Sequence, residues 1–350
     1  MIRRLERLTG LTVGLALLGL WAHPVNAAAR TGFTATPVKA RSGINETNAA
    51  LGAGALAWDQ ERHDQPGRYD LFVHVRGVTT RVNRTWTQGL GGGADGGRLV
   101  FIQMAGGRDR VVRYDLATGK RARVSPLDSF PGRQFHPTIS GNWILLHRQL
   151  PGGATTVVLY NTRTRAIRVL ARGTSSTNSV YAGEVSGNYA VWGRARAHSW
   201  DVFLYDIAKR ATTLIRRPPG VSFQYTPAVT PVGTVYYAIG RSGCGQDVRI
   251  VRRSLNGTTT QLLTLPYLHD TGYMWADQSR RGVTTLLFDR STCADRAHYA
   301  AHPWDVYEIQ NAGAPAPASE APTPRMPSGP TMSTSGSRRF SERLLGPSVA

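Results

Sequence analysis

Ile139-Ser140-Gly141-Asn142-Trp143-Ile144-Leu145-Leu146 sets a glycine turn between two apolar runs, and the same arrangement recurs five more times. The turn glycines are Gly54, Gly97, Gly141, Gly187, Gly233 and Gly282, at intervals of 43, 44, 46, 46 and 49 residues. The apolar stretches that follow include Ala55-Leu56-Ala57-Trp58, Leu99-Val100-Phe101-Ile102, Tyr189-Ala190-Val191-Trp192, Val235-Tyr236-Tyr237-Ala238 and Thr285-Leu286-Leu287-Phe288. After each comes a polar loop, a second apolar strand and a polar turn into a third. A fixed period in the forties with several strands per unit specifies β-propeller blades. The expected fold is all-β, a six-bladed propeller of four-stranded blades.

The third repeat shows the strands most cleanly. Strand A, nearest the axis, is read in Phe135-His136-Pro137-Thr138-Ile139, B in residues 143–147, C in 156–160 and D, on the rim, in 166–170. Strand C ends in a recurring triplet, Tyr114-Asp115-Leu116, Tyr160-Asn161-Thr162, Tyr205-Asp206-Ile207 and Tyr307-Glu308-Ile309. The sixth repeat supplies strands at 273–276, 283–288 and 305–310 but no fourth. Residues 33–38 (Phe33-Thr34-Ala35-Thr36-Pro37-Val38) precede the first repeat unassigned. Pairing them beside the last strand closes the ring, and a rim strand tolerates the donor that Pro37 lacks. Trp58 and Trp192, both on strand B, are expected between blades.

The two ends differ in kind from the repeats. Arg3, Arg4 and Arg7 precede an apolar run over residues 11–22, with Val25-Asn26-Ala27 as a cleavage site. Such a run is too short for a spanning helix of about 20 apolar residues, so residues 1–27 read as a secretory signal peptide without a transmembrane anchor. Residues 314–350 carry Pro315, Pro317, Pro322, Pro324, Pro327 and Pro330 among Ala, Ser, Thr and Gly. That composition reads as a disordered tail. The propeller is thus expected over residues 31–313, in a monomer of the cell-wall space, periplasm or medium.

The formal net charge is +20, from 39 arginines and three lysines against 22 acidic residues. The excess is spread along the chain, as GC-rich coding favours, and attracts anionic polymers without specifying one. No zinc-finger or helix-turn-helix spacing and no aromatic-basic sheet motif is present, so nucleic acid is not an expected partner. Cys244 and Cys293 each lie 11 residues beyond their repeat's glycine, in equivalent loops of neighbouring blades. In an oxidising compartment they are expected to be bonded. Closing a loop of about 50 residues stabilises by about 4 kcal/mol on chain-entropy grounds.

The segments Ile139-Ser140-Gly141-Asn142-Trp143, Val185-Ser186-Gly187-Asn188-Tyr189 and Asp201-Val202-Phe203-Leu204-Tyr205-Asp206-Ile207 resemble the TolB-like, WD40-like family of six-bladed propellers. That family occurs in secreted and periplasmic bacterial proteins, and an actinobacterial-type source fits the arginine bias. The chain departs from the family where Ser-Gly or Val-Gly replaces the usual Asp-Gly turn. The resemblance implies a protein-binding platform.

Strand direction puts the B–C loops and the D–A connections on one face. The candidate ligand-binding residues there are Arg62, His63, Arg108, Arg148, Arg194, Arg196, His198, Arg241, Arg290 and His298. Guanidinium forks suit carboxylates and phosphates. The strand A openings offer His136, Tyr181, Glu184, Tyr225 and Asp270 as channel-lining candidates, beside Asn48 and Gln88. No metal-binding or serine-nucleophile motif accompanies them, so no catalytic residue, metal or cofactor is assigned. The expected function is non-catalytic binding of a protein or an anionic envelope polymer. The alternative is a propeller lyase or hydrolase acting on an acidic polysaccharide. A peptidase is disfavoured because no hydrolase segment follows the repeats.

Overall fold

Strand pairing gathers the described residues into six antiparallel sheets, one per blade. The structure, a computed structural model, describes residues 33–39, 44–52, 54–128, 130–240, 247–265, 269–278, 283–292 and 304–312. Blade 1 holds Glu46–Gly52, Ala55–Arg62, Gln65–Val75 and Val78–Arg81. Blade 2 holds Gln88–Leu90 with Ala94–Asp95, then Arg98–Ala105, Arg108–Asp115 and Arg121–Arg123. Blade 3 runs Arg133–Ser140, Trp143–Gln149, Thr155–Asn161 and Ile167–Gly173, as its repeat predicts. Blade 4 is Asn178–Ser186, Tyr189–Arg196, Ser199–Asp206 and Ala211–Ile215, and blade 5 is Gln224–Val229, Val235–Ile239, Val248–Arg253 and Thr259–Leu265. The one helix among the described residues, Ser125–Asp128, links blades 2 and 3. None of their helices is long and apolar enough to cross a membrane.

Blade 6 takes its inner strands from His269–Gln278, Thr284–Thr292 and Asp305–Ile309, and its rim strand from Thr36–Lys39 at the other end of the chain. The closing strand therefore sits slightly later than residues 33–38. Pro37 lies opposite Tyr307, and the register shifts between Pro37 and Lys39. Phe33 and Ala35, just ahead of the strand, pack on the core between blades 5 and 6. Trp275 in blade 6 adds a tie to blade 1 by donating its Nε1–H to the Leu51 carbonyl at 3.1 Å. A closed ring leaves no long sheet edge exposed.

The core lies between blades rather than on the axis. Among the described residues six apolar clusters occur, one per blade interface: Leu71, Leu99 and Phe101 join blades 1 and 2, and Tyr236, Leu286 and Phe288 join 5 and 6. Trp192 is 2% exposed between blades 3 and 4 and stacks on Phe203, while Trp58 is 1% exposed and stacks on Phe72. Both tryptophans pack as their strand B positions predict.

The strand C triplet has a local cause. In Tyr114-Asp115-Leu116 the tyrosine packs inward, and Asp115 Oδ1 accepts from the Ala117 and Thr118 N–H groups, shaping the C–D turn. The Leu116 N–H returns to the Gly97 carbonyl, tying that turn to the A–B turn. Asn161 caps Arg163 and Thr164, and Asp206 caps Lys209, in the same way. Asx turns of this kind use the short acceptor side chain two or three residues ahead.

Seven expectations fall on residues outside those described. They are the signal segment 1–27, the tail 314–350, the turn at Gly282, the Cys244–Cys293 bond, Arg241, His298 and the side chain of Asp270.

Candidate functional site

The inner strands break step near the axis, and that break decides which side chains reach it. Register shifts occur between Thr47 and Ala50, Phe135 and Thr138, Ala182 and Val185, Tyr225 and Ala228, and Thr271 and Met274. Asn48, His136 and Thr226 take positive φ there, at 54°, 46° and 50°. A bulge of this kind re-aims the next side chain. Blade 2 uses Gly91-Gly92-Gly93 instead; a Cβ on Gly92 would run into the Val100 and Pro137 carbonyls.

The result is a plugged centre. The axial cavity, lined by Asn48, His136, Tyr181, Thr226 and Tyr273, is only about 40 Å³. That is room for water and not for a polymer. His136 lies against Tyr273 with ring centroids 3.6 Å apart, and His147 stacks on Phe135 at 5.0 Å. Burial holds the His136 imidazole well below its usual range and His147 down to about 3, so both are neutral.

Buried carboxyls brace the bulges. Asp59 accepts from Asn48 Nδ2 at 2.7 Å, and burial pushes its carboxyl up to about 8 against the hydrogen bonds from Gly91 and Asn48. Burial likewise raises Asp289 to about 7. Glu184 Oε2 accepts from the Val229 and Ala276 N–H groups, both at 3.0 Å, joining blade 4 to blades 5 and 6; burial lifts its carboxyl well above the ordinary range. Among the described residues, no cluster of three or more His, Cys, Asp or Glu is arranged to hold a metal ion.

The larger space lies on the B–C face. A cleft of about 940 Å³ opens over blades 1 and 2 to the edge of blade 3. Its walls carry Arg62, Arg68, Arg108, Arg110, Arg123 and Arg133 against two aspartates, Asp109 and Asp128, with Trp86 and Phe130 between. The helix Ser125–Asp128 supplies Asp128, which accepts from the Val111 N–H at 3.1 Å. Arg133 Nε is 3.7 Å from Asp109 Oδ2. Arg62 donates to Asp70 Oδ1 at 2.7 Å and to the Thr87 carbonyl at 2.6 Å. Burial would raise the Asp70 carboxyl, but hydrogen bonds from Arg62 and Asn83 hold it below the ordinary range. Arg62 is thus a strut as well as a wall.

The candidate residues divide accordingly. Arg62 and Arg108 line the cleft, and His63 is exposed on the neighbouring hairpin. Arg148 does not present a free guanidinium. It is 8% exposed, lies over Phe130 at 4.2 Å and donates to the Pro131 carbonyl, supporting the cleft from beneath. Arg194 donates to the Arg172 carbonyl, Arg196 pairs with Asp201 at 2.9 Å, and Arg290 lies over Tyr307. His198 borders a separate hollow with Asp247 and Arg249. At the axis, His136 and Tyr181 line the cavity, while Glu184 is buried among backbone donors beside it. Tyr225 is a correction. It is 1% exposed in the core between blades 5 and 6, and the bulge after it brings Thr226 to the axis instead. Gln88 lies in the cleft rather than the channel. The inward strut roles of Arg148 and Arg62 leave no trace in spacing. Trp86 is legible as an apolar residue stranded in the polar run Thr85-Trp86-Thr87.

No protein-family model matches the chain, and no curated protein matches its sequence. Solved structures do match its fold. TolB from Acinetobacter baumannii superposes with a TM-score of 0.52 at 14% identity, over 74% of this chain and 64% of that one. The chain thus spans under two-thirds of that TolB chain. The β-propeller domain of the Trilobed protease from Pyrococcus furiosus gives 0.46 at 10% identity, over 77% and 97% of the two chains. An oligogalacturonate lyase in complex with manganese gives 0.41 at 10%, over 79% and 96%. At such identities the likeness is one of fold. The chain is a six-bladed β-propeller of TolB-like architecture.

Proposed function

We propose that this protein is a secreted, non-catalytic propeller that binds an anionic envelope polymer or an acidic protein surface through its B–C face. The observation that carries this reading is the arginine-lined cleft of about 940 Å³ over blades 1 and 2. Its size lies at the upper end of the roughly 300–1,000 Å³ range of ligand sites. Arginine supplies planar donors that stay charged at every working pH and match carboxylate or phosphate in pairs. The axial cavity, by contrast, is too small to admit a chain for turnover. Binding carried by exposed charge weakens with salt, because screening sets in beyond about 8 Å at physiological ionic strength. The test compares heparin-like and teichoic-type polymers with neutral glycans over a salt series, for the parent protein and for Arg108→Ser with Arg133→Ser. Preference for the anionic polymers, lost with salt and with the substitutions, is expected. Equal binding to neutral glycans, or cleavage of an acidic glycan, would overturn it.

A further inference from the structure

Trp86 stands 66% exposed on the wall of the basic cleft, where attraction between charges alone has no use for an indole. The Arg84 guanidinium lies 5.8 Å from the Trp86 ring centroid, yet the indole keeps most of its surface open beside a large concave site, and aromatic burial removes about 150–250 Å² from water. The cleft also contains two carboxylates. Asp109 is taken up by Arg133 and by the Gln134 N–H at 3.0 Å, while Asp128 accepts from the Val111 N–H and sits near Arg110 and Arg123. Both lie among the arginines, so a ligand that pairs its own carboxylates with the guanidinium groups can also offer hydroxyl donors to these acceptors.

A uronic acid satisfies all three features together. Its carboxylate meets guanidinium forks, its hydroxyls donate to carboxylate and carbonyl oxygens, and the C–H face of its pyranose ring lies flat on an indole. Polyphosphate offers neither hydroxyls nor an apolar face, and an acidic peptide offers no ring to stack. We propose that the cleft takes a uronate-containing glycan, with Trp86 stacking on one sugar ring, Arg108 and Arg110 engaging its carboxylates, and Asp128 accepting from hydroxyls. This rests on the basic-cleft reading above and narrows it to one ligand class. Arg108 and Arg110 both line the cleft, and neither makes an ion pair among the described residues, so their donors are available.

The test titrates the full chain with alginate fragments, linear polyphosphate, polyglutamate and a cello-oligosaccharide at one ionic strength, by calorimetry and tryptophan emission. Alginate fragments should bind tightest and perturb the emission. Trp86→Ala should weaken them about tenfold, in keeping with the contribution of aromatic stacking, remove the emission change and leave polyphosphate binding unaltered. Trp86 and Arg108 are exposed, so their loss should not move the melting temperature. Polyphosphate or polyglutamate binding as tightly as alginate, lost in Arg108→Ala with Arg110→Ala but not in Trp86→Ala, would overturn the glycan assignment and leave the basic cleft standing. Absence of binding to any polyanion, or binding indifferent to the arginine substitutions, would overturn both.

Discussion

The Asn48 N–H donates to Asp289 Oδ1 at 3.0 Å although 241 residues separate them. The bond joins the first inner strand of the ring to the last blade, at the seam where the propeller closes. The same carboxyl accepts from the Tyr273 N–H at 3.3 Å, so one side chain satisfies donors from two blades. Leaving a buried donor without an acceptor costs about 1–3 kcal/mol. Asp289→Ala should therefore lower stability by about 2–5 kcal/mol, and Asp289→Asn, which keeps an acceptor, by about 1 kcal/mol. Urea unfolding of the two variants checks the ordering.

The buried carboxyls give stability a pH dependence of unusual sign. Burial raises Asp59 to about 8 and Asp289 to about 7, so the native state holds protons that the unfolded chain has released. Their contribution is complete at low pH and is lost as pH rises through the native values. His147, held down to about 3 by burial, acts in the opposite sense. It stays neutral while the unfolded imidazole takes up a proton below about 6.5, so stability falls as pH drops from there. The two trends oppose each other between about pH 4 and 6.5, and only the carboxyls act above it. Melting temperature should decline from pH 6.5 to 9. Asp59→Asn should flatten that limb, and His147→Phe, which removes the opposing proton uptake, should steepen the decline between about pH 4 and 6.5. A rising melting temperature above pH 7 would contradict the assignment.

Gly193 faces the Tyr181 ring so closely that a Cβ would overlap it. Gly193→Ala should displace Tyr181 from the axial cavity and cost about 1–3 kcal/mol, as overpacking does. Thermal melts read the loss, and tyrosine ultraviolet difference spectra read the displaced ring.

The rim strand Thr36–Lys39 covers the outer edge of Asp305–Ile309. A chain beginning after Lys39 should leave that edge open, melt earlier and associate through it as concentration rises. Sedimentation at several concentrations separates this from simple destabilisation.

Arg62 and Arg108 should part company on substitution, although both line one cleft. Arg62 and Asp70 are 14% and 10% exposed in their side chains, and breaking a largely buried pair costs about 3 kcal/mol. Arg62→Ala should lose stability and binding together. Arg108→Ala should lose binding alone. Paired melts and titrations of the two variants decide it.

The repeat was readable because a blade is a local object. Glycine turns, apolar strands and Asx-capped corners such as Asp115 and Asn161 lie within a few dozen residues of one another, and their period survives divergence. Ring closure was readable by counting strands, since the last repeat lacks a fourth and the segment around Pro37 had no other place. What strand alternation could not supply was the phase of the inner strands. Each bulge adds a residue to one side of the ladder and turns the next side chain through to the other face, which sent Tyr225 into the core and Thr226 to the axis. The cleft was legible only as a bias toward arginine. Its membership depends on how the connections ending at Trp86 and at Arg133 fold back over the hairpin at Arg108, and on Arg62 and Arg148 turning inward to carbonyls. Local order was written in the chain because hydrogen-bonded turns need only neighbours. The site waited on the tertiary structure because it joins side chains that meet only when adjacent blades pack.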